Sequence, residues 1–233
     1  MPKLPSFTWV IFTIFGIING DEYASVDDYD FIIFACGIYG GGFGKDLTAY
    51  LMANVNDRYN FISLDAGTSY DCLVDALENG QLNSILDYDN YLLSEYNKVA
   101  YFKKKQVNGF FVSHAHLDHN MGLMVSAPDD SFDRKPIISK PQVISDFLYN
   151  SFKAPLWIDY SIFGYYNVSL NPMDNGLTSL EAFGFSEMNA KTFSVPHTIN
   201  CTAIMVCDKD VTSCVLFFGD TGSDIIENSN ELN

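Results

Sequence analysis

Three of the chain's four histidines fall within six residues, in the segment Val112-Ser-His-Ala-His-Leu-Asp-His-Asn. His114, His116, Asp118 and His119 are four potential ligands directly after an apolar run, a grouping hard to sustain as an ordinary polar loop. Imidazole and carboxylate suit zinc, manganese or iron. In an extended stretch, residues two apart share a face, so His114 and His116 are expected to grip one ion together. Asp118 and His119 lie just beyond and are expected to turn toward a second. The fourth histidine, His197 in Ser194-Val-Pro-His-Thr, closes another apolar run. Asp220, in Leu216-Phe-Phe-Gly-Asp-Thr-Gly, ends a further one, where a carboxylate can bridge two ions. Asp65, in Leu64-Asp-Ala-Gly-Thr, is another strand-end acid, suited to orienting a ligand from behind. Aspartate is common in turns and helix caps, so these acids gain weight from the histidines.

The elements that must position these residues alternate in type. Residues 31–36 (FIIFAC), 61–64 (FISL) and 109–113 (GFFVS) are short apolar runs expected to be buried strands. Residues 48–52 are expected to pair with the first of them across a glycine-rich turn. Ile137 and Ile138 begin a strand, and 192–195, 202–206 and 214–218 follow as late strands. Helices are expected over 69–78, 87–99 and 141–149, the last with proline in its first turn, and another starting at 222. The mixture predicts an α/β domain with more than one sheet layer.

Other features bound the function. Gly37-Ile-Tyr-Gly-Gly-Gly-Phe-Gly-Lys suggests a phosphate loop, but Tyr39 stands where its first glycine belongs and Asp46 where Ser or Thr belongs. The dinucleotide fingerprint also fails, which leaves a flexible turn whose backbone can line a pocket. The five cysteines contain no CxxC pair, which argues against a cysteine zinc site. Cys201, Cys207 and Cys214 lie close enough for one local disulfide, the others being readable as small buried hydrophobes. Lys103 to Lys105 are three cations in a row, in character a solvated surface, though able to attract a phosphate. Phe43, Trp157 and Tyr160 are candidates for stacking on a base, with core packing the better expectation for each.

The 233 residues suffice for one sizeable domain. A formal charge of −16 excludes a protein that works by blanketing nucleic-acid phosphates. Residues 7–18 (FTWVIFTIFGII) form an uncharged apolar run after one lysine, too short to span a bilayer and suited to a secretory signal. A signal over 1–22 and a domain over 23–233 are expected, with no stable membrane span. The sequons Asn167-Val-Ser and Asn200-Cys-Thr are compatible with export.

The order Asp65, then His114-x-His116-x-Asp118-His119, then His197, then Asp220 resembles the metallo-β-lactamase superfamily. Within it, the stretches Leu64-Asp-Ala-Gly-Thr, Ser113-His-Ala-His-Leu-Asp-His and Phe217-Phe-Gly-Asp-Thr-Gly-Ser-Asp resemble the class II cyclic-nucleotide phosphodiesterases, over about residues 31–227. The resemblance implies an αββα sandwich with two divalent metal ions, zinc foremost. His114, His116 and His197 would hold the first, Asp118 and His119 the second, and Asp220 would bridge them, with Asp65 behind. It implies hydrolysis of 3′,5′-cyclic nucleotides, cyclic AMP first, to nucleoside 5′-monophosphates. Hydroxide formed between the ions would attack phosphorus, and Asp118 or a further histidine would protonate the leaving oxygen. The family has that further histidine near its C-terminus. Here none follows His197 and the chain stops at Asn233, so the expectation is a sandwich short of its last ligand. An inactive secreted binding protein, a nuclease, or a thioester or lactam hydrolase are the alternatives.

Overall fold

The apolar runs of the first half pair with their neighbours in chain order. The computed structural model describes residues 29–38, 40, 46–128, 134–157, 159, 164–170 and 176–221. The expected signal over 1–22, Phe43, Tyr160 and the helix expected from 222 lie outside the described residues. Strands β1 (Phe31–Gly37), β2 (Ala49–Asn54), β3 (Phe61–Leu64), β4 (Val107–Phe111), β5 (Lys135–Ser139) and β6 (Tyr165–Ser169) form one sheet in that order. The first three run antiparallel as hairpin partners, and β3 to β6 run parallel. The parallel connections are filled by α1 (Tyr70–Glu78), α2 (Tyr88–Leu92) and α3 (Lys98–Tyr101), then α4 (Leu117–Ser126), then α5 (Pro141–Ser151). Strands β7 (Thr178–Ser179), β8 (Met188–Val195), β9 (Cys201–Asp208) and β10 (Cys214–Phe217) make an antiparallel second sheet, ordered β10-β9-β8-β7.

Strand alternation divides the core into two layers. On β2, Leu51 and Ala53 face the helices while Met52 between them faces the second sheet. On β4 and β5, Phe110 and Ile137 join Leu73, Val143 and Phe147 of α1 and α5. Their neighbours Phe111 and Ile138 meet Met188, Ala190, Ile204 and Val206 of the smaller sheet. This gives helices, sheet and sheet, and among the described residues no helix makes extended contact with the smaller sheet. No described helix is long and apolar enough to cross a membrane.

The expected helix over 87–99 is broken into α2 and α3, because Asp87 and Asn97 each cap a new start through a side-chain oxygen. Helix α4 and strand β6 were not expected. The local disulfide is Cys207–Cys214, which closes the β9–β10 hairpin. A second bond, Cys36–Cys72, ties the end of β1 to α1, and Cys201 is a buried free thiol.

Candidate metal centre

The candidate ligands gather where the two sheets present their strand ends. Asp65 follows β3, the histidine-rich segment follows β4, His197 follows β8 and Asp220 follows β10. His114 and His116 come just after the strand, as expected, and fall in one group with His197. Strand β4 ends at Phe111, and α4 starts at Leu117 with His116 as its extended N-cap. Convergence therefore comes from a strand-to-helix turn rather than from the pleat.

Three imidazoles face one another there. His114 Nε2 lies 3.0 Å from His116 Nδ1, which lies 3.3 Å from His197 Nε2. His114, His119 and Asp220 form a second group, and in each group the candidate ligand atoms lie within 4.8 Å of one another. His114 belongs to both. Asp118 belongs to neither, its Oδ2 lying 3.9 Å from His119 Nε2. Consecutive helical positions point about 100° apart, so α4 brings Asp118 and His119 toward the centre from different directions. His119 is drawn fully inside while Asp118 stays at the partly exposed rim.

What draws His119 in is Asp65. This aspartate is fully buried and sits in the left-handed region at φ 56°, a conformation that costs on the order of 1 kcal/mol for a non-glycine residue. Its carboxylate accepts from Ser113 N at 2.7 Å and from Ser113 Oγ and His119 Nδ1 at 2.6 Å. These bonds hold the unusual backbone in place. Ser113 Oγ also lies 2.9 Å from His114 Nδ1. Ser113 thus links two candidate ligands, and sequence reasoning missed it; its place directly before His114 was the available signal. The surrounding chain approaches closely enough to require glycine twice. A Cβ on Gly67 would lie 2.1 Å from the Asp118 carbonyl, and Gly219, at φ +62°, would drive one to 2.4 Å from Ser113 Cβ.

These contacts fix protonation. Burial, with His119, His116 and His197 as neighbours, lowers the His114 pKa to about 3, so the ring is neutral and able to ligate. Burial opposes charge on His119 too, but the hydrogen bond and charge of Asp65, with Asp220 and Asp118 beyond, outweigh it and raise its pKa.

The donor set fits divalent cations. His119 Nε2 is buried without a hydrogen-bond partner, and Asp220 Oδ1 stands 3.2 Å away. An orphaned buried nitrogen is costly unless something fills its lone pair or takes its proton. With Nδ1 held by Asp65, Nε2 is the atom left for an ion, and Ser113 leaves His114 Nε2 in the same position.

Other sequence candidates fall elsewhere. Lys103 to Lys105 precede β4, at the opposite end from its histidine turn; Lys103 is buried and Lys104 lies over the Tyr96 ring. They are no phosphate attractor for this centre. Trp157 packs against the helix-side core. Gly40 comes within reach of Asp118, an added Cβ lying 3.4 Å from Oδ2, so this one glycine of the run borders the site. A cavity of about 390 Å³ between Asn60, Asn108, Arg134, Tyr166 and Phe183 lies at the amino ends of the parallel strands, away from the histidines.

Residues 52–233 match the family described as class-II cAMP phosphodiesterases. The chain is 30% identical over 230 residues to a 3′,5′-cyclic-nucleotide phosphodiesterase of Aliivibrio fischeri, covering 96% of this chain and 65% of that one. The chain thus spans slightly less than two thirds of that relative's length. Unliganded yeast PDE1 superposes with a TM-score of 0.69 at 18% identity, over 87% of this chain and 68% of its own. The metallo-beta-lactamase fold protein YhfI from Bacillus subtilis superposes at 0.52 and 14% identity, over 84% and 66%. The fold expected from the histidine motif is therefore the one observed.

Proposed function

The chain belongs to the class II cAMP phosphodiesterase family, and on that premise we propose that it hydrolyses 3′,5′-cyclic nucleotides, cyclic AMP first, to nucleoside 5′-monophosphates. The observation that carries this reading is a pair of adjoining ligand groups, His114 with His116 and His197 on one side and His119 with Asp220 on the other, which suits a pair of adjacent cations. Two divalent cations, zinc on so imidazole-rich a donor set, would acidify a water molecule and offset negative charge on the phosphodiester.

The chain's own residues do the rest. Ser113 and Asp65 fix the tautomers of His114 and His119, so that both present Nε2 to the centre. Asp220 adds a carboxylate beside them. Water oxygen bonds to phosphorus, the bond from phosphorus to O3′ breaks, and the water's proton ends on O3′. Asp118, at the rim 3.9 Å from His119 Nε2, is placed to hold that proton in passage. Two disulfides and the apolar leader-like run support an exported protein.

The test is a panel of cyclic AMP, cyclic GMP, a simple phosphodiester and a thioester, assayed with the metal content measured. Turnover of the cyclic nucleotides to 5′-monophosphates, much reduced in Asp118→Ala, is expected. Metal-loaded protein that leaves both cyclic nucleotides intact would sink the proposal.

A further inference from the structure

The turn that carries His197 is fastened from outside the centre, by helix α5. Residues 196–200 join β8 to β9, whose closing pair is Val195 opposite Cys201. Lys140 caps α5 and is only 7% exposed, and its Nζ donates to the Cys201 carbonyl at 2.7 Å. Further along α5, Asp146 Oδ2 accepts from Asn200 Nδ2 at 2.8 Å. Cys201 in turn donates its thiol to the Asp220 carbonyl at 3.2 Å. Lys140 at the start of α5 and Asp146 along it thus hold two consecutive residues, Cys201 by its carbonyl and Asn200 by its side chain.

An ammonium buried to this degree is expensive, so its placement calls for a return. The His197 ring meets other imidazoles among the described residues, with centroids 4.7 Å from His114 and 5.0 Å from His116. Nothing in those contacts fixes how far the turn reaches toward the trio. The bonds from α5 do. We propose that Lys140 and Asp146 are positioning residues that clamp the 196–200 turn, placing His197 and, through Cys201, the Asp220 backbone. This rests on the reading of His114, His116 and His197 as a metal-holding trio.

The full chain, stripped of metal, is tested in two ways. Amide hydrogen exchange over 196–201 is measured without metal, and affinity is measured by titrating Zn²⁺ alone against a chelating dye. Far-UV circular dichroism checks the fold. Asp146→Ala and Asn200→Ala, which alter a solvent-exposed bond, are each expected to speed exchange and weaken Zn²⁺ binding about 5-fold, with the double variant no worse than either. Lys140→Met is expected to weaken binding about 10- to 100-fold. If it fails to fold, the Asp146 and Asn200 variants still decide. Native exchange and affinity in both, alongside weakened Zn²⁺ binding in His197→Ala, would overturn the clamp. Native Zn²⁺ affinity in His197→Ala would remove the trio reading instead, and the metal-free exchange would still judge the clamp by itself.

Discussion

The two sheets supply the centre in different ways. The larger one contributes four candidate ligands from a single strand-to-helix turn, two of which, His114 and His119, are fully buried. Behind them stand Asp65 and Ser113, whose mutual hydrogen bonds leave little freedom. The smaller sheet contributes one ligand at each of two strand ends, both more open: His197 is partly exposed and the Asp220 side chain is 42% exposed. Asp220 is held by its backbone, through Gly219 against Ser113 and Cys201 against the Asp220 carbonyl. One sheet presents a rigid half-site, and the other closes on it.

That contrast is open to attack, starting with the largest effect. His114→Ala removes the residue common to both groups, and kcat/KM is expected to fall on the order of 10³-fold or more with loss of bound metal. Asp118→Ala is expected to cost about 10²-fold in kcat while metal analysis stays near wild type, since Asp118 lies at the rim and outside both groups. If its metal content collapsed, Asp118 would belong to the rigid half-site after all. Asp65→Asn takes a charged acceptor from His119 Nδ1, and metal affinity is expected to weaken about 10- to 100-fold. A native affinity would show that the buried network does not set ligand geometry. Gly219→Ala is expected to cost about 1–3 kcal/mol in a denaturant titration, because it loses the left-handed backbone and meets Ser113. An unchanged midpoint would mean that the smaller sheet yields freely at that approach.

The contrast also separates what was legible in the sequence from what was not. The histidine cluster was legible because its ligands are contiguous, and His197 and Asp220 because each follows an apolar run with few competing residues. Strands β1 to β5 of the larger sheet were legible for a similar reason, being short, apolar and bounded by glycine or polar turns. Helix α4 was not. Its sequence LDHNMGLMVS opens with the ligands themselves and contains Gly122, so no clear apolar period shows. Strand β6 was hidden because its run, YYNVS, is short and half polar, as an edge strand can afford to be. The bond from Ser113 to Asp65 and the Cys36–Cys72 bond were invisible because each depends on which elements lie side by side, and that is set by the order of strands rather than by local pattern.

The most direct test of the proposed centre, with two cation sites side by side at His114, is a count of bound zinc per chain, on protein loaded with Zn²⁺ and freed of excess. Wild type is expected to hold two, and His114→Ala and His197→Ala no more than one each, with circular dichroism unchanged among the three. Wild-type protein that holds only one zinc ion, or a His114→Ala protein that still holds two, would contradict the two-cation centre.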